Sequence, residues 1–101
     1  MVRNKYRSRL QIIADVLSAT EKGAKKTHIM YQANLSYKLL TLYLNRVLEA
    51  ELIRTVEGSY EITEKGRSFL EKFHEYSQRR EQLRERVEGV NDDKLFLENM
   101  V

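Results

Sequence analysis

The chain has 101 residues, of which 33% are charged and 42% hydrophobic, with no cysteine, no proline and four glycines; that suits one helix-rich domain with a modest core. Disulfides and thiolate metal sites are excluded, no run approaches the roughly 20 apolar residues of a membrane span, and the basic N-terminus leads into no secretory signal, which points to a soluble, cytoplasmic protein. The net charge of +3 is uneven: residues 1–60 carry ten basic and five acidic side chains, residues 61–101 eight and ten, so the front half alone has the footprint of a polyanion binder.

The first stretch carries Arg3, Lys5, Arg7 and Arg9 with no acid among them. It reads either as a flexible arm for phosphates or as the solvated start of a helix. From Ser8 to Ala19, Leu10, Ile13, Ala14 and Leu17 follow helical spacing, and Ile12 and Val16 widen the stripe, which predicts a helix deep in the core. Gly23 suits its C-terminal turn. Lys25 and Lys26 lead into a short helix from Thr27, whose hydroxyl can cap it, to Tyr31. Ala33, Asn34 and Leu35 form a connection in which Asn34 tolerates left-handed backbone. Ser36 then caps a helix reaching about Ala50. Its buried stripe is Leu40, Leu44, Val47 and Leu48, flanked by Leu39 and Tyr43, with Lys38, Thr41, Asn45 and Arg46 on the other side. This is the layout of a helix-turn-helix DNA reader, the alternative being an ordinary helical hairpin.

The periodicity then changes. Leu52–Val56 and Tyr60–Thr63 are strand-like, joined by Glu57-Gly58-Ser59, and read as a β-hairpin. Three helices followed by a hairpin is the order of a winged helix. The wing tip carries Glu57, which phosphate would repel. From Thr63, a helix-capping residue, Phe69, Phe73, Tyr76, Leu83, Val87 and Val90 recur at spacings of 4, 3, 7, 4 and 3, a heptad seam with Arg80 in the missing place. A helix from about Glu64 to Glu88 exceeds what the domain needs, so the later seam residues call for a second chain in a coiled-coil dimer. Arg80 meets its own copy in a parallel pair and an apolar partner in an antiparallel one, which favours antiparallel. After Gly89, either Asn91-Asp92-Asp93 opens a tail or short helix, or Leu97 and Val101 continue the heptad. The organisation is thus 1–64 DNA-binding domain with its arm, 65–90 dimerisation helix and 91–101 tail.

The string IMYQANLSY, Ile29 to Tyr37, resembles the hallmark segment of small archaeal winged-helix proteins typified by the ten-kilodalton "ten-a" DNA-binding proteins of the Sulfolobales. The run LEAELIR (Leu48–Arg54) and the passage YEITEKGRSFL (Tyr60–Leu70) resemble that family too. The resemblance implies a winged helix, an antiparallel coiled-coil homodimer through the long helix, and binding to double-stranded DNA in transcription regulation or chromatin.

No catalytic constellation, phosphate loop or metal spacing is present, and His28 and His74 fall on different elements. The chain therefore reads as a non-enzyme without cofactor or small-molecule substrate, nucleoid-associated in the cytoplasm. The expected DNA contacts are Ser36, Tyr37, Lys38 and Thr41 at base edges or phosphates, with Asn34, Asn45 and Arg46 nearby. Lys25, Lys26 and the arm residues Arg3, Lys5 and Arg7 would lie on phosphates. Tyr37 has an alternative, packing against the first helix. The dimer seam would be Phe69, Phe73, Tyr76, Arg80, Leu83, Val87 and Val90. A second class of function, a protein–protein dimerisation or adaptor module without DNA binding, fits the acidic wing tip and the modest charge.

Overall fold

The computed structural model describes residues 7–100, with side chains described through Glu81 and again at Leu97 and Met100. The order is α1 (Arg9–Ala19), α2 (Lys26–Gln32), α3 (Tyr37–Glu49), β1 (Ile53–Val56), β2 (Ser59–Ile62) and α4 (Glu64–Asn99). The strands pair antiparallel from Ile53↔Ile62 to Val56↔Ser59. Glu57 and Gly58 alone close the hairpin, both at positive φ (48° and 81°), the mirror-image turn whose twist matches that of the strands. An isolated antiparallel bridge of Ala24 with Tyr60 adds a stub of a third strand. This is a winged helix.

Local chemistry sets the helix ends. Ser8 and Ser36 cap α1 and α3 through their hydroxyls, which accept from the amides of Gln11 and Leu39. Thr27 does not cap α2. Ala24 is held by its two hydrogen bonds to Tyr60, so the chain turns into helix directly after it, with Lys25 in the extended cap position and no side-chain bond. Helices α2 and α3 end alike. Asn34 (φ 53°) and Glu51 (φ 61°) take the left-handed conformation. The amides of Leu35 and Leu52 then bond back to the carbonyls of Met30 and Val47 at 3.0 and 2.8 Å.

The core lies where the three helices α1, α2 and α3, the hairpin and the first turns of α4 meet. Val16, Leu17, Ile29 and Leu40 are fully buried, with Leu44, Val47, Ile53, Ile62 and Leu70 around them. Three positions differ from the sequence reading of α3. Tyr43 belongs to the buried stripe, whereas Leu48 is only partly buried and Leu39 is exposed. The face is rotated towards Tyr43 because its ring reaches the core that a flank leucine misses. Leu10 is likewise exposed, since α1 begins beyond the core and only its later turns are covered.

Helix α4 is anchored at its first turn. The Thr63 hydroxyl donates to the Glu51 carbonyl at 2.6 Å and accepts from the Gly66 amide at 3.1 Å, while Lys65 Nζ donates to the Ala50 carbonyl at 2.8 Å. Gly66 is needed for contact: a Cβ there would stand 2.2 Å from the Leu52 carbonyl oxygen. Phe73, placed on the seam by its spacing, is already buried against the chain's own domain, and Phe69 packs partly there. Beyond them α4 continues without a break at Gly89 or Asn91, so the expected end near Glu88 falls inside it. Its 36 residues span about 54 Å at 1.5 Å per residue, most of the molecule's 65 Å long axis.

Candidate nucleic-acid interface

Two helices and a tight turn set the geometry. The α2–α3 turn, Ala33 to Leu35, is pinned from below, because Ala33 and Leu35 are buried, and from the side by Arg7. The Arg7 guanidinium donates to Asp15 Oδ2 and the Ala33 carbonyl, both at 2.6 Å, and to the Asn34 carbonyl at 2.8 Å. Gln11 donates to the other Asp15 oxygen at 2.9 Å, which holds the carboxylate in place. Arg7 thus ties the start of α1 to the turn that aims α3. Its charge is paired with Asp15 within the fold while Nε is buried without a partner among the described residues, and the sequence offers no signal for the bonds to Ala33 and Asn34, 26 and 27 positions away.

The N-terminal ends of α2 and α3 come together. Lys26 Nζ lies 3.2 Å from the Tyr37 hydroxyl and 4.7 Å from its ring centroid, joining the first turns of the two helices. Tyr37 is 65% exposed, with Lys26 as its described side-chain partner. Along the outer face of α3, Lys38, Asn45 and Arg46 are exposed. The Arg46 guanidinium carbon sits 5.7 Å from the Tyr43 ring, and the Thr41 hydroxyl donates back to the Tyr37 carbonyl at 3.0 Å. Of the sequence-expected contacts, Lys26, Ser36, Tyr37, Lys38, Thr41, Asn45 and Arg46 line the α2–α3 surface, and Lys25 is exposed at its edge. Asn34 is exposed and serves the turn through its backbone. Arg3 and Lys5 lie outside the described residues.

Two residues of this surface escaped the sequence reading. Leu42 is 44% exposed in the middle of the outer face of α3, and Tyr31 is 77% exposed on α2. The signal for Leu42 was present, since it stands four residues after Lys38 and three before Asn45. On the wing, Arg54 and Glu61, directly opposed across the strands, form an exposed ion pair of 3.3 Å, and the tip presents Glu57. The wing thus offers little free positive charge.

A second surface lies where α4 leaves the domain. Phe69 and Phe73 stack with parallel rings 6.3 Å apart, and Tyr76 follows 6.2 Å from Phe73. With Leu10 and Lys72 they line an open apolar groove of about 180 Å³. Tyr76 is 48% exposed and Arg80 is exposed. Leu83, Val87 and Val90 lie on α4, and their side chains fall outside the description. Among the described residues no group of acids and histidines could hold a metal, and no helix is long and apolar enough to cross a membrane.

The sequence matches the winged helix-turn-helix family model over residues 6–81. The chain belongs to that family. Two uncharacterized proteins of Methanocaldococcus jannaschii are related to this winged helix-turn-helix chain. The first is 43% identical over 70 residues, which is 68% of this chain but 33% of the relative; the chain thus spans about a third of that protein. The second is 28% identical over 74 residues, 72% of this chain and 76% of the relative. Among solved structures, Sso10a-2, a DNA-binding protein from Sulfolobus solfataricus, superposes with a TM-score of 0.78 at 29% identity, over 85% of this chain and 95% of its own. Ligand-free NadR superposes at 0.60 and 21% identity, over 98% of this chain and 76% of its own, a likeness of fold alone. The resemblance to the archaeal family noted from Ile29–Tyr37 is therefore upheld by sequence and by structure.

Proposed function

We propose that this chain is a non-enzymatic, double-stranded-DNA-binding protein that acts as a homodimer, in transcription regulation or as a chromatin-associated factor. The observation that carries the reading is the outward face of α3, where Tyr37, Lys38, Asn45 and Arg46 stand exposed on a helix whose other face is locked into the core. A helix of this width fits the major groove of B-DNA, and its polar side chains can reach base edges there. Lys25, Lys26 and Lys38 supply phosphate contacts that fix position without reading sequence. The description of Sso10a-2 as DNA-binding supports the same reading. The heptad seam of α4 supports the homodimer, and antiparallel pairing spares Arg80 from its own copy. A dimer of this kind spaces two α3 helices, so the separation of half-sites becomes part of the target.

The test is fluorescence anisotropy of a 30-base-pair mixed-sequence duplex, titrated between low and physiological salt. Affinity should fall steeply with salt, by about 0.9 in the log–log slope for each phosphate neutralised. The variant Lys25→Ala/Lys26→Ala/Lys38→Ala should bind more weakly and with a shallower slope. Absence of binding at low salt would leave the adaptor reading, to which Glu57 at the wing tip and Glu49 on α3 lend support.

A further inference from the structure

The outer face of α3 holds one apolar residue that neither phosphate binding nor core packing explains. Leu42 lies two positions, about 200°, on from fully buried Leu40, which puts it close to the outward pole of the helix. Around it stand Lys38 one turn before, Asn45 and Arg46 one turn after, and Glu49 beyond, all exposed. The other exposed leucines among the described residues have seats elsewhere. Leu10 lines the α4 groove, Leu39 sits on the flank of α3 beside the core, and Leu97 falls on the heptad register of α4. Leu42 has none, and its 44% exposure leaves an apolar side chain in water at the centre of a polar surface.

The four base pairs differ in the major groove by their hydrogen-bonding groups and by one apolar feature, the C5-methyl of thymine. Lysine, asparagine and arginine flanking an outward leucine therefore form a mixed surface, hydrogen-bonding groups at the edges and an apolar contact for a methyl group at the middle. We infer that Leu42 is a specificity-determining residue that packs on a thymine methyl group, biasing the protein towards A·T pairs at the centre of each half-site. This inference rests on the reading of α3 as the groove helix and adds which base it selects. Removing one such apolar contact, worth about one buried methylene, lowers affinity about four-fold. Two half-sites engaged together give about sixteen-fold.

The experiment compares a non-self-complementary 30-base-pair duplex made only of A·T pairs with the same duplex carrying deoxyuridine for every thymidine, which deletes only the methyl groups. Both are titrated by anisotropy with the full chain and with Leu42→Ala. Leu42 is exposed, and alanine is a better helix former than leucine, so the variant should keep its fold, checked by circular dichroism. The full chain should bind the thymine duplex between four- and sixteen-fold more tightly than the uracil duplex, and Leu42→Ala should bring that ratio close to one. An unaltered ratio in Leu42→Ala, or a ratio of one in the full chain with both duplexes bound, overturns the assignment while leaving the groove-helix reading standing. Failure of both duplexes to bind at low salt instead overturns the DNA reading itself and with it this one.

Discussion

Replacing Arg7 by methionine separates two roles, the phosphate contact expected from the sequence and the internal clamp seen in the fold. Methionine keeps much of the apolar stem and removes the guanidinium, which donates at 2.6, 2.6 and 2.8 Å to Asp15, the Ala33 carbonyl and the Asn34 carbonyl. The two side chains of the ion pair are 17% and 29% exposed, so the interaction is only partly screened. Hydrogen bonds to charged groups contribute about 1.5–3 kcal/mol each when buried. Here the freed carbonyls lie near the surface and Asp15 keeps its bond to Gln11, which lowers the sum to about 2–3 kcal/mol. For a domain of this size that is a fall of about 10–20 °C in Tm. Urea unfolding of Arg7→Met, Asp15→Asn and the double variant should give a coupling energy of about 1–2 kcal/mol. The salt slope of DNA binding should be unchanged, because this charge faces inward. Stability unaltered within about 0.5 kcal/mol, together with a shallower salt slope, would show that Arg7 serves phosphate and that the clamp is not formed in solution.

Three further changes test the frame. Gly66→Ala should gain about 1 kcal/mol of helix propensity yet destabilise overall by about 1–3 kcal/mol, since its Cβ would lie 2.2 Å from the Leu52 carbonyl oxygen; thermal melts decide the sign. Glu51→Gly should stabilise by about 0.5–1 kcal/mol, because φ of 61° at the end of α3 strains any residue with a Cβ. Leu83→Glu/Val87→Glu should give a monomer in analytical ultracentrifugation with the helical content of the winged domain intact, and a persistent dimer would place the contact elsewhere.

Much of this architecture was legible because its signals are local. Ser36 announces α3 through a bond to an amide three residues away, Asn34 marks the turn, and Glu57-Gly58 closes a hairpin that needs two residues at positive φ. What stayed hidden depends on distant partners. Arg7 reads as one more base in a basic arm until Ala33 and Asn34 are brought beside it. Thr27 has the chemistry of a cap, but the pairing of Ala24 with Tyr60 moves the helix start. Phe73 fits a heptad seam by spacing and is buried by its own domain, since α1 and α4 cross there, a contact that no periodicity along α4 reports. Gly66 looks like a poor helix residue, and only the approach of the Leu52 carbonyl explains it. At the candidate interface the residue types were readable from the outer face of α3, whereas Leu42 was given no place, because the polar face was read from its charged and polar residues alone.

The most direct test of DNA recognition through α3 is to follow backbone amide resonances of the labelled protein as a 30-base-pair duplex is added. Shifts should concentrate in Tyr37–Arg46 and at Lys25 and Lys26, leaving the wing tip at Glu57 and Gly58 nearly still. Shifts confined to the wing or to α4, with Lys38, Leu42 and Asn45 unmoved, would mean that another surface meets the DNA.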